Sequence, residues 1–503
     1  MWQIPTTEVC FLLAVCLLAF ELTWPMRSSP HIASIHILDD DSLLHVFYFC
    51  RPFLFGEDED EDARIMGGWA RWVNGRWWYR LVHVCQRWRN VIFGSSSYLA
   101  LSLVCTNGTP VADILAHSPP LPLLIDYSDE YCDFTAEDEE GAILALKQRD
   151  RVRRIRLFVR TMSLRDLIVA IDEEYPILEY LIIGRQIGDL TILEFPKALQ
   201  APHLCHLMLI DFTLPIGSLL LTNALGLVTL YLYMVHPSTY FHPNTLLQWL
   251  SFMPQLETLT IAFFDAFASP NPDLHRHLTH SPYITPVTLP NLRCFKFRGG
   301  SIYLEALVHQ IATPRLEKLQ IVFTKQPTFS VPHLAQFIKT TESLRFDSAI
   351  FVFFEGPADM KLYSRGETET YAISIIVKCL RPTWQVSSVA QISNALSQVL
   401  STVDHLALEE VHTPSSEGRS DVDPTELRRL LRSFNNVKTL LIAERLIEHV
   451  SRCLQLDDGE DPLELLPDLQ ELAYSGSGKT GDAFTSFIDA RQNAGHPLTL
   501  IRH

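Results

Sequence analysis

The chain of 503 residues is short of positive charge, with 41 Lys and Arg against 58 Asp and Glu, a formal net charge of −17. That balance argues against wholesale nucleic-acid binding, which relies on Lys and Arg against phosphate. A local basic patch is still allowed. No two of the ten cysteines form a C-x-x-C pair. Scattered cysteines suit reduced, mostly buried thiols in a cytoplasmic or nuclear protein better than a disulfide or zinc framework. Nucleophile elbow, H-E-x-x-H and dinucleotide fingerprint are all missing. The expectation is therefore a non-enzyme without metal or cofactor. Unbroken apolar runs are short as well. Val9–Phe20 (VCFLLAVCLLAF) has twelve residues, below the roughly 20 that span a bilayer. Glu8 precedes it, no Lys or Arg does, and no small-x-small cleavage site follows cleanly. Three readings of the run stay open: a secretory signal, a membrane anchor, or an apolar extension that packs on the body or reflects a misplaced start codon.

What the chain has is one phrase, Pro-x-Leu-x-x-(Leu/Phe)-x-apolar. It begins at Pro176, Pro202, Pro254, Pro290, Pro314 and Pro467, and its apolar frame recurs without the proline from Val152, Leu227, Val403 and Val437. Frame starts at 152, 178, 204, 227, 256, 292 and 316 are separated by 26, 26, 23, 29, 36 and 24 residues. Those periods fit leucine-rich repeats of about 20–29 residues with local insertions. Alternating apolar residues within the frame imply strands with one buried face. Helical patterns lie between them, at Leu304, Leu307, Val308 and Ile311, and at Leu427, Leu430, Leu431 and Phe434. Asp423 and Pro424 supply an N-cap and N1 signal for the second. Strand then helix, repeated, predicts an α/β solenoid with a parallel sheet on one face and helices on the other.

Four parts follow: an apolar extension (1–30), a helical stretch (35–98) with an acidic, Trp-rich insertion (51–78), a repeat array (99–355) and irregular C-terminal repeats (369–503). SAIFVFFE and ETYAISIIVKCL read as strands that depart from the frame. The insertion carries six adjacent acids, Glu57–Asp62, then Trp69, Trp72, Trp77 and Trp78. Adjacent acids repel one another and are expected to stay solvated.

In the helical stretch, Leu38, Leu43, Leu44, Val46 and Phe47 form an apolar side, with aspartates at the N-terminal end. Leu81, Val84, Cys85, Trp88 and Ile92 are expected on one helical face. The string Val84-Cys85-Gln86-Arg87-Trp88-Arg89, after the first helix and before the strand LALSLVC, resembles an F-box. The family pattern is Leu-Pro-x-Glu-x-Leu-Leu-x-x-Ile-Phe, then Val-Cys-(Lys/Arg)-x-Trp-Arg. Asp39 replaces the family proline, and the insertion separates the halves. With LVHVCQRWRNVIFGS, PPLPLLIDY and DARQNAGHPLTL, the chain resembles the F-box proteins of mushroom-forming fungi. The resemblance implies the substrate receptor of an SCF-type cullin–RING ubiquitin ligase. Its F-box would dock on a Skp-type adaptor, through it on a cullin, and its repeats would hold the target protein. The residues it assigns to the adaptor are Leu38, Leu43, Leu44, Val46, Phe47, Leu81, Val84, Cys85 and Trp88. The rival reading is a repeat scaffold whose F-box-like helices act only as a cap.

Other motifs carry a bland reading. AYSGSGKT (Ala473–Thr480) satisfies a loose P-loop pattern with Lys479, but a Gly-rich repeat loop explains it. His275, His277 and His280 lack metal-site company. The run KQRDRVRRIRLFVR (Lys147–Arg160) reads either as a phosphate or acidic-peptide contact or as a solvated face paired with Glu137–Glu140. Residues alternating with the frame leucines should face the open side of the sheet. They are Tyr180, His206, Thr229, Tyr231, Tyr233, Thr260, Lys296, Arg298 and Lys318. Tyr231, Tyr233, Lys296, Arg298 and Lys318 are the candidate target-binding residues, an aromatic patch beside a basic one suited to an acidic or phosphorylated segment.

Overall fold

The computed structural model describes residues 38–51, 74–129, 133–185, 193–215, 217–234, 239–263, 286–324, 326, 328–354, 357–364, 371–379, 385–411, 423–455, 463–475 and 483–502. Val9–Phe20, the acids Glu57–Asp62, Trp69, Trp72, the three loop histidines and Lys479 lie outside those residues. The chain divides into two compact units, Met1–Ile171 and Asp172–His503.

The first unit holds the helical stretch together with three strands. Helix α1 (Asp40–Phe49) is capped by Asp39, whose carboxylate accepts from Ser42 N–H at 2.7 Å. The residue that departs from the family proline is thus the helix cap, and that backbone bond holds its carboxyl below the usual range. Leu43 and Phe47, one turn apart, are buried. Short 3₁₀ turns run over Asn74–Tyr79 and Leu81–His83 before helix α2 (Gln86–Gly94). The expected single helical face from Leu81 to Ile92 is not formed. Cys85 is extended (φ −159°, ψ 169°) and its sulfur caps α2 by accepting from Trp88 N–H. The break rotates the two halves apart, so Trp88 and Ile92 are buried while Val84 is 58% exposed.

Strands β1 (Leu103–Thr106), β2 (Leu123–Ser128) and β3 (Val152–Val159) follow in parallel, β1 beside β2 and β2 beside β3. Helices α3 (Val111–His117), α4 (Ala136–Leu146) and α5 (Thr161–Ile171) connect and follow them. In a parallel pair alternate carbonyls point away from the neighbour. Those of Ser102, just before β1, and of Val104 on it accept from Trp78 Nε1 (3.3 Å) and Arg76 Nη2 (3.2 Å). The end of the insertion therefore covers the strand edge, which would otherwise be a template for pairing.

In the second unit the long strands are β4 (Tyr180–Arg185), β6 (His206–Ile210), β8 (Thr229–Met234), β9 (Thr258–Phe263), β11 (Cys294–Gly299) and β13 (Lys318–Thr324), parallel and adjacent in that order. Two-residue strands β5 (Leu193–Glu194) with β7 (Phe212–Thr213), and β10 (Val287–Thr288) with β12 (Ile311–Ala312), form minor pairs. Ile311 is thus in a strand, because the helix Ser301–Val308 ends first. The frame residues stack in register: Leu181, Leu207, Leu230, Leu259, Phe295 and Leu319 are successive partners, and all are buried. Each buried leucine contributes about 1.5–3 kcal/mol. Helices cover this face. Tyr303 of the helix Ser301–Val308 lies edge-on to Phe263, 4.8 Å between centroids, and against the frame ring of Phe297.

The repeated proline has a local cause. In all six Pro phrases the N–H of the first leucine bonds the carbonyl three residues back: Leu178 to Tyr175, Leu204 to Ala201, Leu256 to Met253, Leu292 to Leu289, Leu316 to Thr313 and Leu469 to Leu466. Each is a tight turn with proline at its second position, where its fixed φ fits. The turn aims each following strand into the sheet.

Beyond β13 the order changes. β14 (Ser348–Phe353), β15 (Pro357–Tyr363) and β16 (Ile373–Lys378) form an antiparallel meander with β16 beside β13. β14 is parallel to β17 (His405–Glu410), and β18 (Thr439–Ile442), β19 (Glu471–Tyr474) and β20 (Thr499–Arg502) resume the parallel order. Helix Pro424–Leu431 has the expected start, Asp423 accepting from Thr425 N–H at 2.9 Å with Pro424 next.

Candidate functional site

At the helical end, Phe47 of α1 meets Trp88 of α2 edge to face, 4.9 Å between centroids. Arg87 joins the same two helices through Asp40 (2.8 Å) and the Leu38 carbonyl (2.5 Å). Leu43, Phe47 and Trp88 are therefore interior supports rather than contact residues. Leu38, Leu44, Val46, Leu81 and Cys85 are half-buried. Among the described residues of this end, the large apolar groups left to solvent are Tyr48, Phe49, Val84 and Tyr98, at 41%, 60%, 58% and 48% exposure. Tyr48 packs on Tyr98 (5.3 Å), and Arg51 lies over the Tyr48 ring (5.1 Å). Tyr48, Phe49 and Tyr98 were not among the residues expected from sequence. Burial of Leu43 and Phe47 turns the α1 positions just after Phe47 outward.

On the sheet of the second unit, the residues alternating with the frame form rows across the strands. Tyr180 stacks on His206 (4.1 Å, 13°), and Tyr231 is parallel to Tyr233 (6.3 Å, 3°). Tyr231, Thr260 and Lys296 are successive register partners. These three are not open to solvent as expected, being 3%, 5% and 6% exposed. Side chains on neighbouring strands only 4.7–4.9 Å apart cover one another. Tyr180, His206, Thr229, Tyr233, Arg298 and Lys318 are half-buried, and Lys378 is exposed. Lys318 lies over the Tyr371 ring at 4.8 Å. Partial desolvation, and then the Arg298 guanidinium, pull the Lys378 ammonium below its ordinary value. On β15, Lys361 pairs with Asp359 (3.4 Å), which also accepts from Ser374 (3.1 Å). Burial raises the Asp359 carboxyl against the pull of Lys361.

Part of the basic run at 147–160 is used inside the fold, whereas Lys147, Arg149 and Arg160 stay exposed. Arg156 and Asp126, register partners on β3 and β2, are each 4% exposed by side chain and joined at 3.0 Å. Burial raises the Asp126 carboxyl, and Arg156 opposes that shift. Arg151 bonds the Leu121 carbonyl at 3.1 Å. Among the described residues no cluster of His, Cys, Asp and Glu could hold a metal, and no helix is long and apolar enough to cross a membrane. All described cysteines are free thiols.

No family model matches the chain, and no curated protein matches it. Among solved structures, one chain of a TLR13–ssRNA13 complex aligns with a TM-score of 0.28 and 12% identity, covering 79% of this chain. The alignment spans 48% of that chain. The chain's own architecture, strand and helix alternating on a leucine-frame repeat, is that of a repeat-built α/β protein of leucine-rich-repeat type.

Proposed function

We propose that this chain is a non-enzymatic substrate receptor of an SCF-type cullin–RING ubiquitin ligase. Its N-terminal helices engage a Skp-type adaptor, and its repeats hold the target. The observation that carries the reading is the Phe47–Trp88 contact between the two motif halves, with Phe49 and Val84 left exposed on the same helical stretch. The experiment is co-expression of the full chain with a Skp-type adaptor and capture on the adaptor. Large apolar side chains at an interface centre cost about 2 kcal/mol or more on truncation, roughly 30-fold in affinity. Phe49→Asp with Val84→Asp should abolish capture without lowering the melting temperature. Capture at the wild-type level by that folded variant overturns the assignment.

A second reading, a repeat scaffold whose helices only cap the array, draws on the Trp78 and Arg76 bonds to the β1 edge. A solenoid needs such a cap. A wild-type chain that is never captured by the adaptor, yet is strongly destabilised by Trp78→Ala, identifies this scaffold.

A further inference from the structure

We propose that the polar face of the sheet across β11, β13 and β16 binds an acidic, carboxylate-rich segment of a target protein through Arg298, Lys318 and Lys378. The proposal rests on the reading of the repeats as the target-holding part of the chain, and names the chemistry they hold.

Placement comes from the strand register. Arg298 pairs with Val322 on β13, and Val322 pairs with Ile376 on β16, two residues before Lys378. Lys318 begins β13 on the same parity as Val322, so all three cations share one face. With strands about 4.8 Å apart and about 3.3 Å rise per residue, Arg298 and Lys378 stand roughly 12 Å apart at the backbone, and Lys318 roughly 14 Å from Arg298. An extended segment repeats its side chains every ~6.6 Å on one face. Acids four residues apart, about 13 Å along the segment, would therefore meet the cations in turn.

The groups around them set the limits of the patch. Lys296, one position before Arg298 on the same face, is buried beneath the surface. Lys361 and Asp359 on β15 offset each other, and Glu409 on β17, in register with Val352 of β14, puts an acid on the far flank. On the other flank, Tyr233 and the Tyr180–His206 stack provide partly exposed rings. Arg298 and Lys378 repel each other across β13, and an anion laid between them relieves that repulsion. In a chain of net charge −17, this local group of cations is complementary to acids.

The spacing favours carboxylates over a phosphate. A phosphoryl group is held by donors converging on one point, often bidentate Arg, whereas here one Arg and two Lys are spread along the strands. Three cations are also too few for a nucleic-acid backbone, whose binding grows with the number of phosphates neutralised.

The test is fluorescence anisotropy of the full chain with a labelled (Glu-Ser)₅ peptide at low and at raised salt. Its phosphoserine counterpart, a (Gly-Ser)₅ control and a ten-nucleotide oligo-U serve as comparators. Binding of the Glu peptide that weakens with salt, and that falls at least tenfold in Lys318→Glu with Lys378→Glu, is expected. Both positions keep solvent contact, and an unchanged melting temperature shows that the variant is folded. No binding by wild type overturns the proposal, as does binding that survives the double reversal. Tenfold tighter binding of the phosphopeptide, or equal binding of oligo-U, overturns the carboxylate assignment. Adaptor capture is measured in parallel: its loss with peptide binding intact sinks the ligase reading alone, and the converse sinks the peptide site alone.

Discussion

Glu305, in the helix Ser301–Val308, reaches the start of the next helix and accepts from Leu334 N–H at 2.8 Å. Its other oxygen accepts from His333 N–H, also at 2.8 Å. The helix Pro332–Thr340 has no side-chain cap of its own, so a carboxylate from the preceding repeat satisfies its first free amides. The same device recurs with opposite sign. Arg428 bonds the carbonyls of Cys453 (2.8 Å) and Gln455 (2.6 Å), at the C-terminus of the helix Ile447–Leu454. Anion at an N-terminus and cation at a C-terminus both match the helix dipole.

Removing the Glu305 tie should loosen the repeat junction. Hydrogen bonds to a charged group are worth about 1.5–3 kcal/mol each. Glu305→Ala is expected to destabilise by about 2–4 kcal/mol in urea unfolding, and Glu305→Gln by less, since the amide oxygen still accepts. A loss below about 0.5 kcal/mol for the alanine variant would show that solvent replaces the carboxylate.

Glu305 also has a pH signature. Burial raises its carboxyl above the ordinary 4.5, with the bonds from His333 and Leu334 acting the other way. A raised folded value means the native state binds the proton more tightly. The associated stability is complete below pH 4.5 and is lost as pH rises through the higher folded value. Glu305→Gln removes this titration. The wild type should therefore gain on the Gln variant as pH is lowered through the acidic range, in melting curves at stepped pH. A difference independent of pH refutes the assignment.

The Arg156–Asp126 pair should behave as a buried ion pair. Asp126→Asn leaves a guanidinium with its neighbouring negative charge removed, at a cost of about 3–5 kcal/mol. Asp126→Leu with Arg156→Met should recover most of that loss, because two desolvation penalties disappear together. Chemical denaturation of both variants checks the contrast, and equal losses would count against it.

Arg491 is fully buried and donates to the carbonyls of Leu465, Leu466, Pro467 and Leu469, at 3.4, 3.1, 2.8 and 3.2 Å. It holds the last proline turn from below. Arg491→Lys keeps the charge but loses the planar fork, and should cost about 2–3 kcal/mol. Proteolysis of the folded chain near residue 467 should rise in parallel.

Thiol chemistry should separate the cysteines by depth. Burial pushes Cys105 up to about 11 and Cys453 up to about 12. Both should resist iodoacetamide at pH 8 in the native chain, while half-buried Cys50 and Cys205 react more readily. Peptide mapping after timed alkylation reads this directly.

Strand placement was legible wherever a repeat obeys its frame. Leucine alternation marks the buried face, and in six of the repeats proline in the preceding turn marks where the strand begins; both are local effects. The departure at SAIFVFFE and ETYAISIIVKCL was legible as well, and both are strands. β15 was not, because its residues PADMKLY gain their strand only by pairing on both sides within the meander. The break at Cys85 was also hidden, since Leu81 to Ile92 keeps helical spacing although the backbone extends at one residue.

The candidate site divides in the same way. Sequence alone determined which residues share the polar face, because parity along a strand is a property of the chain. Only the tertiary structure decided that Tyr231, Thr260 and Lys296 are covered while Tyr233, Arg298 and Lys318 keep some solvent contact. It likewise decided that Arg156 is consumed by Asp126 while Arg298 keeps partial solvent contact and Lys378 is exposed. Exposure and charge pairing depend on which strands become neighbours, and that is set by contacts between residues far apart in the chain.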